Sequence, residues 1–245
     1  MIQIDINCDL AEGGKFDAQL MPLISSCNIA CGGHFGNQTT INTAVKLAAK
    51  YGVNIGAHPS YPDPNNFGRK SIDMSLDDLK TTLKNQILKV KIAAENLGKK
   101  LHHVKPHGAL YNDLVRDEKK AHVLVDLVEE IDVELVLFVP PKSVIKQIAQ
   151  SRLKIWVEGF ADRNYEADFS LVSRSKNNAV LHQKEAVFQH VFSMIFKGKI
   201  QLKKDTFLHA NFNTICVHSD TENSVEILSY LKEKLTANNI NIGGR

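Results

Sequence analysis

A chain of 245 residues and 27.3 kDa can close one α/β barrel around a large core, and 43% hydrophobic with 23% charged residues is ordinary globular usage. Thirty Lys and Arg against twenty-seven Asp and Glu leave a formal charge of +3 without a long block of one sign, which argues against a nucleic-acid or acidic-membrane patch. No apolar run is long enough to span a bilayer, and the opening "MIQIDINCDLAEGG" carries neither a basic leader nor an uninterrupted apolar stretch, so a cytoplasmic protein is expected.

Residues 2–9, "IQIDINCD", alternate with period two, so Ile2, Ile4 and Ile6 share one strand face and Asp5, Asn7 and Asp9 the other. "PLISSCNIACGG" reads as a second strand, "NTAVKLAAKYG" as a helix closed by glycine, and "VNIGAH" as a third strand. A long helix follows from Ser75, a plausible N-cap, to Gly98. "KLHHVKP" is the fourth strand, "DEKKAHVLVDLVEEI" a helix, "VELVLFVP" the fifth strand, "KSVIKQIAQ" a helix and "LKIWVEGFAD" the sixth strand. A helix over 183–197, a seventh strand "NTICVHSD" and a closing helix "ENSVEILSYLKEKLTANN" complete the chain.

Strand then helix, repeated about seven times, predicts a parallel sheet with helical crossovers. Polar residues at alternate strand positions and polar clusters at strand C-terminal ends favour closure, so an irregular (β/α)7 barrel is expected, as one domain over 1–245. Residues 59–74 and 160–180 read as loops over its mouth. Cys8, Cys27, Cys31 and Cys216 are expected as free thiols, because the Cys27/Cys31 spacing has no second metal-binding pair to complete it.

The chemistry collects at strand ends. Asn7, Asp9 and Glu12 close the first strand, Asn28 and His34 follow the second, and His58 ends the third. Lys105 and His107 end the fourth, Glu158, Asp162 and Arg163 the sixth, and His218 and Asp220 the seventh. Alternation places Lys105 on the side of His103 and opposite His102, which makes "HHVKPH" one sector of a polar mouth. Carboxylate, imidazole and ammonium groups so placed move protons and hold an oxyanion or phosphoryl oxygen; Asp9 with His34 and His58 would alternatively hold a divalent metal. No "GKS" or "GKT" phosphate loop and no "GxSxG" elbow is present. His122, His182, His190 and His209 are expected to be ordinary, and spacing alone reaches no further than a hydrolase-like or ligase-like barrel.

Seven ordered motifs, "DINCDLAEG", "SSCNIACGGH", "GAHPSYPD", "FGR", "HHVKPHGALYN", "FADRNY" and "CVHSD", resemble the LamB/YcsF family, to which the A subunit of prokaryotic ATP-dependent 5-oxoprolinase belongs. The resemblance implies a barrel similar to glycoside hydrolase and deacetylase barrels, and a partnership with subunits B and C that opens the lactam 5-oxo-L-proline to L-glutamate with ATP, accompanied by Mg. It carries the motif residues onto Asn7, Asp9, Glu12, Asn28, His34, His58, Asp63, Arg69, Lys105, His107, Asp162, Arg163, His218 and Asp220. Asp9, His34, Lys105 and His107 are expected to be catalytic. Asn7, Glu12, Asn28, His58, Arg69, Asp162, Arg163, His218 and Asp220 are expected to bind substrate, with Lys105 and Arg163 holding anionic oxygens. Whether the chain binds a metal or forms a homo-oligomer is left open. Departures from the family pattern are Ala11 for glycine, a shortened segment between Gly14 and Leu23, and "CGGHFGN" for "CGFHAGD", so that Gly33, Phe35 and Asn37 are expected to alter the wall beside His34 and remove a carboxylate. Two other readings are a metal-dependent deacetylase or amidohydrolase on the same barrel, and a non-catalytic scaffold for the partner chains.

Overall fold

The computed structural model describes residues 2–203 and 206–243. Seven parallel strands close into a barrel: β1 (Ile2–Leu10), β2 (Ser26–Ala30), β3 (Asn54–His58), β4 (Leu101–Val104), β5 (Val136–Val139), β6 (Lys154–Phe160) and, after a hairpin, β9 (Thr214–Cys216). β9 pairs with β6 on one side and with Asp5 to Asn7 of β1 on the other, which completes the ring. The helices α1 (Asp17–Leu20), α2 (Gln38–Tyr51), α3 (Leu76–Glu95), α4 (Gly108–Asp113), α5 (Glu118–Ile131), α6 (Val144–Ala149), α7 (Lys184–Lys197) and α8 (Ser224–Ala237) connect the strands.

All seven expected barrel strands form. Three further strands do not follow from the βα rhythm. β7 (Lys199–Lys203) and β8 (Thr206–His209) make a two-stranded antiparallel hairpin outside the barrel, and β10 (Ile240–Ile242) pairs with Ile2 to Ile4 of β1. The last pairing uses the part of the β1 edge that β9 leaves uncovered.

Local chemistry sets the helix ends. Ser75 accepts from Asp78 N at the start of α3 and Asp117 from Lys120 N at the start of α5. Asn37, expected in the wall beside His34, instead caps α2: it accepts from Thr39 N and Thr40 N, work that asparagine and aspartate perform equally well. The change from aspartate therefore removes no carboxylate from the mouth. Ala11 sits at φ +61°, in the left-handed region that glycine enters freely, which accounts for glycine in the family pattern.

Between barrel and helices lies a continuous apolar core that includes Ile4, Ile6, Leu10, Ile29, Ile41, Leu83, Ile87 and Leu124. The barrel lumen is different. Phe138 stacks on Trp156 at 5.4 Å and on His103 at 4.2 Å, forming an aromatic plug, while the mouth side is polar. His103 crosses the lumen only because β3 has no side chain at Gly56: a Cβ there would lie 2.0 Å from His103 Nε2. Gly56→Ala is expected to cost about 1–3 kcal/mol through overpacking, read as a lower denaturant midpoint.

Candidate functional site

The period-two alternation aims Asp5, Asn7 and Asp9 of β1 into the lumen, and register brings polar partners level with them. Asp5 accepts from Ser25 Oγ and Ser26 Oγ, each at 2.6 Å, and from Thr214 Oγ1. Its partners are hydroxyls, and burial, the largest influence, raises its carboxyl above the usual range. Asn7 donates to Glu158 Oε1 (3.0 Å) and Thr214 Oγ1 (2.7 Å); Asn28 donates to Asn7 Oδ1 (2.8 Å) and Asp9 Oδ1 (2.7 Å). The Asn28 carbonyl contacts His103 Nε2 at 2.7 Å, and His103 Nδ1 faces His102 Nδ1 at 3.1 Å. "HHVKPH" thus runs from a half-buried His102 through the lumen to the mouth.

Lys105 is the centre of this network. Its ammonium, 2% exposed, lies 2.8 Å from Asp9 Oδ1, 3.0 Å from Glu158 Oε1, 3.3 Å from Asn7 Oδ1 and 3.1 Å from Cys216 Sγ. Burial opposes the charge, but Asp9, Cys216 and Glu158 outweigh it and hold Lys105 well above an ordinary lysine. Asp9 is held well below the usual carboxylate range, with His58 and Lys105 overcoming its burial. The other Glu158 oxygen, Oε2, and the Tyr111 hydroxyl are buried and complete no hydrogen bond among the described residues. Burial and the Glu158 charge together push the Tyr111 phenol well up.

A second group sits beside it. Glu12 Oε1 is 2.7 Å from His34 Nε2, 3.3 Å from His107 Nδ1 and 3.7 Å from His58 Nε2, and His58 Nε2 is 3.4 Å from Asp9 Oδ2. The rings of His34 and His107 stack at 3.6 Å. Burial pulls His34 down to about 4, so it is neutral at pH 7. Hydrogen bonds from His107 and His34 overcome burial to hold Glu12 well below an ordinary glutamate.

On the opposite side, Asp162 is fully buried and faces His218 Nδ1 at 2.9 Å, with Thr221 Oγ1 and His218 N also donating to it. Burial alone would lower His218, but Asp162 outweighs it and raises the imidazole above its ordinary 6.5, while His218 in turn lowers Asp162 below 3.8. The pair therefore stabilises the fold fully between those two ordinary values. Its contribution is lost as pH rises through the raised His218 value, or falls through the lowered Asp162 value. In urea titrations at pH 6 and pH 8.5, His218→Asn is expected to lose less stability over this interval than the wild type; equal losses would count against the coupling.

Asp9, Glu12, His58, Lys105, His107 and Glu158 form the floor of a cleft of about 1390 Å³. Its rim holds Arg69 and Arg174, both paired with Asp220 at 3.2 Å across the mouth. Arg163 also lines the cleft, but its Nε and Nη2 donate to the carbonyls of Ala179 and Val172, tying the loop over 160–180 in place. Asp63 accepts from Asn66 N and Nδ2 and shapes the loop before Arg69. Gly33 packs against Gln86 and Ser60, where a Cβ would meet both at 2.4 Å.

Of the residues singled out from sequence, Asn7, Asp9, Glu12, Asn28, His34, His58, Lys105, His107, Asp162 and His218 come together at the mouth, Arg69 and Asp220 at its rim. Cys216, Ser60 and Tyr111 were missed as part of this site, His103 was placed in the mouth sector with Lys105 but given no role, and Glu158 was noted only as a strand end. Alternation signals four of the five: His103 is two residues before Lys105, Glu158 two before Phe160, Cys216 two after Thr214, and Ser60 two after His58. Two groups have metal-ligand spacing, Glu12 with His34, His58 and His107, and Asp9 with Cys216 and His218. In the second group the Lys105 ammonium already lies against Asp9 and Cys216 and disfavours a cation.

The LamB/YcsF family model matches residues 4–244. This chain belongs to the LamB/YcsF family. A curated relative, the 5-oxoprolinase A subunit of Staphylococcus carnosus, is 40% identical over 247 aligned positions that cover 98% of each chain. The crystal structure of the lactam utilization protein from Thermus thermophilus superposes with a TM-score of 0.92 at 30% identity, covering 100% of both chains. A family 4 carbohydrate esterase from Streptomyces lividans shares the fold at a TM-score of 0.52 and 12% identity, covering 98% of this chain and 91% of its own. The LamB/YcsF barrel is thus built like deacetylase barrels. No helix among the described residues is long and apolar enough to cross a membrane.

Proposed function

We propose that this chain is the A subunit of an ATP-dependent 5-oxoprolinase that works in the cytoplasm with subunits B and C, opening 5-oxo-L-proline to L-glutamate. The observation that carries the reading is 40% identity to a named 5-oxoprolinase A subunit over 98% of each chain.

The cleft chemistry supports it. An unstrained lactam is a poor electrophile, and transfer of the ATP γ-phosphoryl group to its oxygen makes the ring carbon attackable. Water then adds to that carbon, the C–N bond breaks as nitrogen gains a proton, and a second water hydrolyses the resulting acyl phosphate to glutamate and phosphate. Lys105, charged and fixed by Asp9 and Glu158, holds the developing oxyanion. Asp9, with His107, orients and deprotonates water. His218, aligned by Asp162, supplies the proton to the leaving nitrogen, and the unpartnered Glu158 Oε2 and Tyr111 hydroxyl complete their hydrogen bonds on the ring amide. Arg69 and Arg174 receive anionic groups at the rim. Arg163, committed to two carbonyls, positions the loop. The cleft exceeds the roughly 300–1,000 Å³ typical of drug-sized ligands, leaving room for a phosphorylated substrate.

Deleting the gene in its host should abolish growth on 5-oxo-L-proline as sole nitrogen source, with rescue by the wild-type gene. Undiminished growth of the deletion strain, with no second 5-oxoprolinase present, would refute the reading.

A further inference from the structure

We propose that His103 is a positioning residue for Asp9, acting through the Asn28 side chain so that one carboxylate oxygen, Asp9 Oδ2, is left to meet water; the inference rests on the role given to Asp9 in the 5-oxoprolinase reading. Strand register provides the line of contact. Asp9 of β1 pairs level with Asn28 of β2, Asn28 with Gly56 of β3, and Gly56 with His103 of β4. Glycine leaves a gap in this row, and His103 passes through it. The Cβ absent from Gly56 would fall 2.0 Å from His103 Nε2, the atom that reaches Asn28.

The direction of each hydrogen bond follows from two carboxylates beside the Lys105 ammonium, which as ionised groups only accept. Glu158 Oε1 accepts from the Asn7 amide nitrogen at 3.0 Å, so the Asn7 carbonyl faces Asn28. Asp9 Oδ1 accepts from the Asn28 amide nitrogen at 2.7 Å. The two hydrogens of that amide are thereby spent on Asn7 Oδ1 and Asp9 Oδ1, and the Asn28 carbonyl points to His103. A carbonyl oxygen only accepts, so His103 Nε2, at 2.7 Å, carries the proton. Burial, the largest influence, holds His103 well below the ordinary 6.5, so the ring is neutral and Nδ1 presents a lone pair. His102 Nδ1 donates to that lone pair at 3.1 Å, which leaves His103 a single tautomer. Phe138, stacked on the ring at 4.2 Å with an interplanar angle of 4°, sets its plane.

The consequence reaches the cleft at Asp9. Its Oδ1 is filled by the Asn28 amide and by the Lys105 ammonium at 2.8 Å, whereas Oδ2 makes the long contact, 3.4 Å to His58 Nε2, and Asp9 lines the cleft. His103 is itself fully buried, so its influence on the reaction runs through Asn28. Without the His103 donor the Asn28 carbonyl is a buried acceptor left unsatisfied, which tilting of the amide relieves. Tilting withdraws the N–H from Asp9 Oδ1 and turns the carboxylate away from its aim.

The tautomer is read first, from the two-bond proton–nitrogen spectrum of the ¹⁵N-labelled, full-length chain, with His103 assigned by the contacts of its ring protons with Phe138. Nε2 is expected to be protonated and Nδ1 bare; a ring protonated at Nδ1, alone or together with Nε2, overturns the proposal. In the assembled enzyme, His103→Leu and Gly56→Ala are expected to lower kcat about 10- to 100-fold with KM nearly unchanged, the first by removing the donor and the second by displacing it. His103→Gln, whose amide can donate to Asn28, should recover most of that loss. Unchanged kcat in folded His103→Leu, or equal losses in the Leu and Gln variants, overturns the proposal, because packing alone does not separate two side chains of similar size. Should the variants fail to fold, the wild-type spectrum decides. That spectrum needs no lactam, ATP or partner chain, so its failure is distinct from failure of the 5-oxoprolinase reading, which glutamate formation by the wild type reports.

Discussion

Lys105→Ala is expected to abolish glutamate formation by the assembled enzyme and to destabilise this chain by about 3–5 kcal/mol, because Asp9 and Glu158 would then be buried together without their cation. A motif lysine at a strand end suggests a loss of activity only; the loss of stability follows from its burial between two carboxylates. Replacing Glu158 with Gln in the same chain should recover part of the stability and none of the activity, since one uncompensated charge is removed while the oxyanion donor stays absent. Denaturant titration and product assay on both variants separate the two effects. Full activity in Lys105→Ala would remove Lys105 from the chemistry.

Asp162→Asn is expected to lower kcat about 100-fold or more with little change in KM. Asp162 touches no cleft ligand directly; it orients His218 and stabilises its charged form, so its loss disables proton delivery and leaves substrate binding intact. A purely structural role predicts parallel loss of stability and activity instead. The distinguishing readout is the pH profile, in which the limb reporting His218 should move to lower pH in Asp162→Asn.

The barrel was legible because β1 announces itself: Asp5, Asn7 and Asp9 alternate with Ile4, Ile6 and Cys8 within a strand of nine residues, and glycine ends one helix after another. The β7–β8 hairpin was not, because two short strands at the end of a helix interrupt no rhythm strongly enough to be read. β10 depends on an edge of β1 that exists only once the barrel has closed. Within the site, residue types at strand ends located the mouth. They did not reveal that Lys105 is locked between two acids, that Asp162 and His218 form a pair, or that Asn37 is a helix cap. Those facts arise from cross-strand register and from contacts such as Asn7 with Glu158, 151 residues apart. His103 shows the limit most plainly: its path across the lumen is set by the missing side chain at Gly56, 47 residues earlier, and by β3–β4 register.

The most direct measurement is glutamate released from 5-oxo-L-proline by the purified chain, with and without ATP and with and without the B and C subunits from the same source. The account predicts glutamate only when ATP and both partners are present. No glutamate in any combination, with the three subunits folded and associated, would contradict it.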